Sequence, residues 1–188
     1  AKNTLNSGTA TSGILSPKVS AAFGPWGGTE LYANWGIGFH SNNGLGVTLE
    51  VDPFTGDPAQ ASPAFARSHG AEVGVRTVAL SGLQSTVTAW YLGFDSELIY
   101  IGDSGSTDAG PASRRVGIEI TNYFTLNPWV TLDLDLSLSR ARFVDVPATE
   151  SFVPGALNRV ISAGLALEPP AEVSAGPFVG VRLRHFGP

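Results

Sequence analysis

Between Trp129 and Phe143 the chain alternates: Val130, Leu132, Leu134, Leu136 and Leu138 take one parity, Thr131, Asp133, Asp135, Ser137 and Ser139 the other. Side chains of an extended strand point in turn to opposite faces, so this run is a strand with one aliphatic and one polar face. A helix would scatter the same leucines around its axis. The pattern recurs in Arg115–Thr121, where Val116, Ile118 and Ile120 oppose Arg115, Gly117, Glu119 and Thr121. Phe178–Phe186 sets Val179, Val181 and Leu183 against Gly180, Arg182 and Arg184, and Leu31–His40 sets Leu31, Ala33, Trp35, Ile37 and Phe39 against Tyr32, Asn34, Gly36, Gly38 and His40. Weaker alternation marks Ser16–Phe23, Glu72–Leu80, Ser85–Tyr100 and Asn158–Leu167. The sum is roughly eight strands of about 9–15 residues, long against a usual mode of about 5–6.

Composition agrees. The 188 residues make one ordinary domain, with 14% charged residues, 43% hydrophobic, 23 Gly and 13 Pro. Charge is scarce against the ~25% of soluble domains, and so much Gly and Pro disfavours long helices. Aromatics at 10% disfavour disorder. Eleven basic residues against sixteen acidic ones give −5, with the basic residues scattered, which argues against a nucleic-acid partner. The absence of Cys excludes disulfides, thiolate zinc sites and Cys nucleophiles. No apolar run approaches the ~18 residues of a transmembrane helix. The start at Ala1-Lys2-Asn3-Thr4, without Met or an apolar signal core, reads as mature or cut from something longer.

Short and long connections alternate. Pro25-Trp26-Gly27-Gly28, Ser81-Gly82-Leu83 and Leu126-Asn127-Pro128 are tight turns, and Glu168–Gly176 takes the fourth short slot. Ser41–Gly70, Gly102–Ser113 and Val144–Gly155 are long, polar links. In an up-and-down meander this collects turns at one end and loops at the other, the asymmetry of outer-membrane barrels. Strands of about 9–11 tilted residues cross a hydrocarbon core, with backbone groups paired between neighbours. The aliphatic face then meets lipid, while Arg115, Glu119, Asp133, Asp135, Arg182 and Arg184 face a wet lumen. Trp26, Tyr123, Phe124 and Trp129 are girdle candidates at the turn end, and Phe39, Tyr100 and Phe143 at the loop end. The other architecture with this pattern is a soluble β-barrel or sandwich that binds a small ligand in its interior, with Leu132, Leu134 and Leu136 packed inside.

No segment reads as an active site, and the expectation is a non-enzyme with no catalytic, cofactor-binding or metal-ligating residue and no cofactor. Gly102-Asp103-Ser104-Gly105 matches a serine-protease tetrad, but His40, His69 and His185 stand in no catalytic context. Asp103 and Asp108 lack the ligand series of a calcium loop, and His40 and His69 are unspaced for a metal. Glu72, Glu119, Asp133 and Asp135 read as cross-strand charge ladders, worth ~0.2–1 kcal/mol per pair, rather than an acid–base pair.

In order along the chain stand Ser16-Pro17-Lys18, Phe23-Gly24-Pro25-Trp26, Glu30-Leu31-Tyr32-Ala33-Asn34-Trp35-Gly36 and Gly38-Phe39-His40-Ser41-Asn42. After them come His69-Gly70-Ala71-Glu72-Val73-Gly74-Val75-Arg76, Ser96-Glu97-Leu98 and Ser113-Arg114-Arg115-Val116-Gly117-Ile118-Glu119. Pro128-Trp129-Val130, Ser139-Arg140-Ala141-Arg142-Phe143, Val153-Pro154 and Leu183-Arg184-His185-Phe186-Gly187-Pro188 complete the series. This ordered set resembles the C-terminal half of the barrel in TonB-dependent outer-membrane receptors. The plug domain and energy-coupling box of that family are absent, as is about the first half of its 22-stranded barrel.

The resemblance implies an all-β segment of a transmembrane β-barrel over residues 1–188, with no separate second domain. It implies the outer membrane as location and energy-coupled uptake of a scarce ligand, such as an iron chelate or a cobalamin, as the whole receptor's task. Implied partners are the lipid bilayer, the rest of the barrel with its plug, and an inner-membrane energy-coupling protein acting through that plug. Strand number and shear set barrel diameter together, so an open curved sheet is expected, with Ser16–Phe23 and Phe178–Phe186 as unpaired edges. Closure into a small barrel is the alternative, helped by Gly36, Gly38, Gly74, Gly117, Gly164 and Gly180 on the inward faces.

Overall fold

The computed structural model describes residues 6–42, 44–52, 55–101, 106–170 and 176–187. Eight strands form one antiparallel sheet: β1 (Lys18–Trp26), β2 (Thr29–Ser41), β3 (Phe65–Thr77), β4 (Leu83–Phe94), β7 (Ser113–Asn127), β8 (Val130–Phe143), β9 (Arg159–Leu167) and β10 (Val179–Gly187). Sheet order is chain order, apart from the two-stranded hairpin β5 (Leu98–Ile101) and β6 (Ser106–Ala109) in the link between β4 and β7. The segment Ser85–Tyr100, expected as one strand, is therefore two: β4 ends at Phe94 and β5 begins a separate hairpin at Leu98. Strand β3 starts earlier than expected, at Phe65, because Ser41–Phe65 to Thr29–Thr77 pairs without interruption.

Each short connection has a local cause. Gly27 and Gly28, at φ 56° and 79°, form the two-residue link between Trp26 and Thr29, and a hairpin turn with two positive φ values favours glycine. Pro128 and Trp129 link Asn127 to Val130, with the Asn127 side chain accepting from the Trp129 N–H at 2.8 Å. The long links lie at the opposite end. The one between β2 and β3 carries a single helical turn, α1 (Gly44–Val47), and the one between β8 and β9 carries a 3₁₀ turn, Ala148–Glu150. Turns at one end and loops at the other is what the sequence predicts.

The sheet is one layer thick. Its accessible surface is 12728 Å², against roughly 8,500 Å² for a compact monomer of this mass. Among the described residues the buried apolar side chains are Ala66, Ala141 and Val153, none of them large. Leu132, Leu134 and Leu183 are 38%, 51% and 71% exposed. A soluble barrel or sandwich needs Leu132 and Leu134 packed inside with Leu136, and their exposure means that alternative does not describe this fold. Strands β1 and β10 are the two edges and do not pair with each other, which leaves the sheet open as expected.

Candidate functional site

Register sorts the side chains into two faces, since directly opposed residues share a face. One row runs Arg76–Thr86–Thr121–Asp135–Ser162–Arg184 from β3 to β10, and the next polar row runs Tyr123–Asp133–Gly164–Arg182. Arg115, Glu119, Asp133, Asp135, Arg182 and Arg184 thus share one face, as the alternation predicts. The opposite face carries rows such as Ala33–Val73–Ala89–Ile118–Leu138 and Leu31–Val75–Val87–Ile120–Leu136–Ile161. Two girdle candidates fall on the polar side: Tyr123 opposes Asp133, and Phe143 opposes Ser113. The alternation starting at Val130 already places odd-numbered residues of β8 there. Phe124 and Phe39 do lie on the apolar face, and the Tyr100 side chain lies outside the described residues.

The polar face is wired across strands. Arg182 donates to Asp133 at 2.8 Å across the intervening strand β9. The residue between them is Gly164, and the Asp133 carboxylate occupies the space a Cβ there would need. Asp135 and Arg184 stand in the same relation one row on, but Ser162 lies between them and no ion pair forms. Arg76 pairs with Glu30 at 3.5 Å and lies 5.6 Å from the Tyr32 ring centre. The Asn34 amide donates to Glu72 at 2.7 Å, and the Tyr32 and Thr88 hydroxyls bond at 2.5 Å over Gly74. The Trp90 ring occupies the space a Cβ at Gly117 would need in the same way. The Asn34, Glu72, Trp90 and Glu119 side chains border a shallow hollow of about 430 Å³ floored by Gly36 and Gly70.

Glu97 organises the loop end. Its carboxylate accepts from the Ser113 hydroxyl and from the Arg115 guanidinium, the latter at 2.6 Å, while Arg115 stacks 5.4 Å from the Phe94 ring centre. Backbone bonds from Gly110 to Glu97 and from Glu97 to Pro111 close the same neck. Ser113 is only 1% exposed. The alternation places Arg115 on one face with Glu119, as found, but its ion-pair partner is Glu97. Both partners lie in stretches already singled out, Ser96-Glu97-Leu98 and Ser113–Glu119, but their meeting depends on the fold of the link between them.

The histidines are dispersed. His40 belongs to the polar face beside Phe94, whereas His69 lies on the apolar face with its Nε2 3.2 Å from the Tyr91 hydroxyl. Opposite faces of one sheet cannot share a metal ion. His185 lies on the far edge strand, 3.4 Å from the Arg159 guanidinium. Gly102–Gly105 lies outside the described residues, and so does the side chain of Asp108.

No protein-family model matches the chain, and no curated protein matches it in sequence. Solved structures do match in shape. The copper transporter OprC superposes with a TM-score of 0.65 at 17% identity, covering 90% of this chain and 26% of its own. The FrpB iron transporter from Neisseria meningitidis gives 0.61 at 15% identity, with 92% and 27% covered. The ferric-catecholate import receptor Fiu from Escherichia coli K12 gives 0.63 at 16% identity, with 90% and 24% covered. The chain therefore spans about a quarter of the solved chains it matches. At these identities the likeness shows the fold: an antiparallel meander that forms a segment of a transmembrane β-barrel.

Proposed function

We propose that this chain forms a stretch of wall and outer loops in a TonB-dependent outer-membrane receptor that takes up a scarce ligand such as an iron chelate or a cobalamin. The observation that carries this reading is the split between the faces. A continuous aliphatic face stands uncovered, the hydrogen-bonded carboxylates and arginines lie on the other face, and long loops gather at one end. Lipid supplies what the aliphatic face lacks, and a wet lumen suits the polar one. The named copper, iron and ferric-catecholate transporters with this fold support uptake over catalysis.

The edges β1 and β10 present unpaired backbone groups, which suit them to pairing with further strands of a barrel. The polar face is where a plug sits in this reading, and an inner-membrane energy-coupling protein acts through that plug. Two measurements test the proposal at natural chain length in the cell that makes the protein. The protein is expected in the outer-membrane fraction, and its deletion is expected to lower uptake of iron chelates or cobalamin under starvation. Recovery in a soluble fraction, or undiminished uptake of both ligand classes, contradicts it.

A further inference from the structure

The apolar face is not apolar to its end. Toward the long loops it carries Arg67 and His69 on β3, Arg114 on β7, Arg140 and Arg142 on β8, and Arg159 on β9. Five of the chain's eleven Lys and Arg residues stand here, all exposed. The ion pairs among the described residues are Arg76–Glu30, Arg115–Glu97 and Arg182–Asp133, and none involves this group. Asp95, just past β4, donates its backbone N–H to the Arg67 carbonyl at 2.9 Å without forming an ion pair. Asp145 and Glu150, in the link beyond β8, form none either. Arg114 and Arg142 oppose each other directly, a like-charge pairing that destabilises a sheet unless an anion lies between.

The positions follow a line. His69, Gly93, Arg114 and Arg142 share one row. Arg159 lies four residues lower, opposite Leu138 rather than Arg142. In a barrel whose strands tilt about 35–45°, a level line steps by roughly 1–1.5 residues per strand. From Arg67 on β3 to Arg159 on β9 the group descends at that average pace, through Arg114 and Arg140, while His69 and Arg142 stand within two or three residues of the line. The end of the sheet descends in the same sense: the Arg159 row meets β2 at Ala33, below the Ser41–Phe65 pair that closes the same end there. The arginines thus lie in one narrow band on the lipid-facing surface at the loop end. At that height Arg140, Arg142, Phe152 and Asn158 border a groove of about 270 Å³ between β8 and the loop that follows it.

We propose that this belt binds the phosphorylated headgroups of lipids in the leaflet at the loop end. The inference rests on the wall reading above. Charge complementarity identifies the occupant: guanidinium groups match phosphate oxygens bidentately, and the aliphatic rows below receive the acyl chains. A soluble anion gains the first contact and not the second.

The test uses protein of natural chain length in neutral detergent, with native mass spectrometry counting retained lipids. The probes are phosphatidic acid, phosphatidylcholine and inorganic phosphate. Wild type is expected to retain phosphatidic acid at least tenfold better than phosphatidylcholine, and the triple variant R114Q/R140Q/R142Q to lose that preference. R76Q/R184Q, on the other face, controls for charge removal and should keep it. Equal retention by the triple variant overturns the proposal, as does equal competition by inorganic phosphate at matched concentration. A lipid-accessibility probe at Leu134 separates the two levels: lipid contact there with no lipid preference rejects the belt alone, whereas water contact rejects the wall reading too. Should the triple variant fail to fold, R142Q alone is expected to weaken retention severalfold, and an unchanged value overturns the proposal.

Discussion

Leu134 and Asp133 are neighbours in the chain with opposite surroundings, and they show how one residue reports on the architecture. Leu134 is 51% exposed on the aliphatic face in the middle of β8. An arginine there meets hydrocarbon, so Leu134→Arg is expected to cost ~2–4 kcal/mol in bilayer unfolding titrations. Asp133→Asn keeps the fold and loses the Arg182 ion pair, a partly exposed interaction worth ~0–1 kcal/mol. Gly164 makes that pair possible, because the Asp133 carboxylate lies where a side chain would start. A double-mutant cycle between Asp133→Asn and Arg182→Gln is therefore expected to show coupling in the wild-type background and none in the G164A background. Persistent coupling with G164A contradicts the geometry. The facing of these residues was legible in the sequence, because period-two alternation assigns faces before any pairing is known. The identity of their partners was not. Arg182 reaches Asp133 only because β9 puts a glycine between them, and that depends on register across three strands.

At the scale of elements, what the sequence shows best is the alternation of short and long links, and what it hides best is the content of the long ones. Gly-rich turns announce themselves through φ values that only glycine adopts easily, as at Gly27 and Gly28. The β5–β6 hairpin gives a weaker signal: Leu98–Ile101 continues the apolar character of β4, so the two read as one strand. The break comes at the neck, where Glu97 turns back to hold Ser113 and Arg115. Glu97→Gln is expected to loosen this neck and raise amide exchange at Gly110 and Glu97 by severalfold, leaving the β7–β8 ladder unchanged. Uniform exchange changes across the sheet are the contrary result. The long link between β8 and β9 is pinned differently, by the Arg142–Phe152 bridge and by the Ser139 hydroxyl donating to the Leu157 carbonyl at 2.7 Å. Ser139→Ala removes that bond and is expected to speed proteolysis within 144–158 by about twofold to fivefold, the scale of one hydrogen bond worth ~0.5–1 kcal/mol.

At the scale of the molecule, an open sheet one layer thick, without large buried apolar side chains among the described residues, is stable only where something other than water covers its aliphatic face. Outside lipid or detergent the protein is therefore expected to aggregate, through that face and through the β1 and β10 edges, which light scattering on detergent removal reads directly. Overall class and the sense of the faces follow from the sequence because both depend on periodicity and link length. The basic belt escaped it: the five arginines are scattered along the chain and become a line only when tilted strands set their heights. The most direct measurement of the central claim places a spin label at position 133 and, separately, at 134 in the reconstituted protein. Collision rates are then recorded with oxygen, which partitions into lipid, and with a water-soluble nickel chelate. The account predicts oxygen-dominated relaxation at 134 and chelate-dominated relaxation at 133. A wet position 134 with a dry position 133 would mean that the sheet faces the other way, and the membrane-wall reading would fall with it.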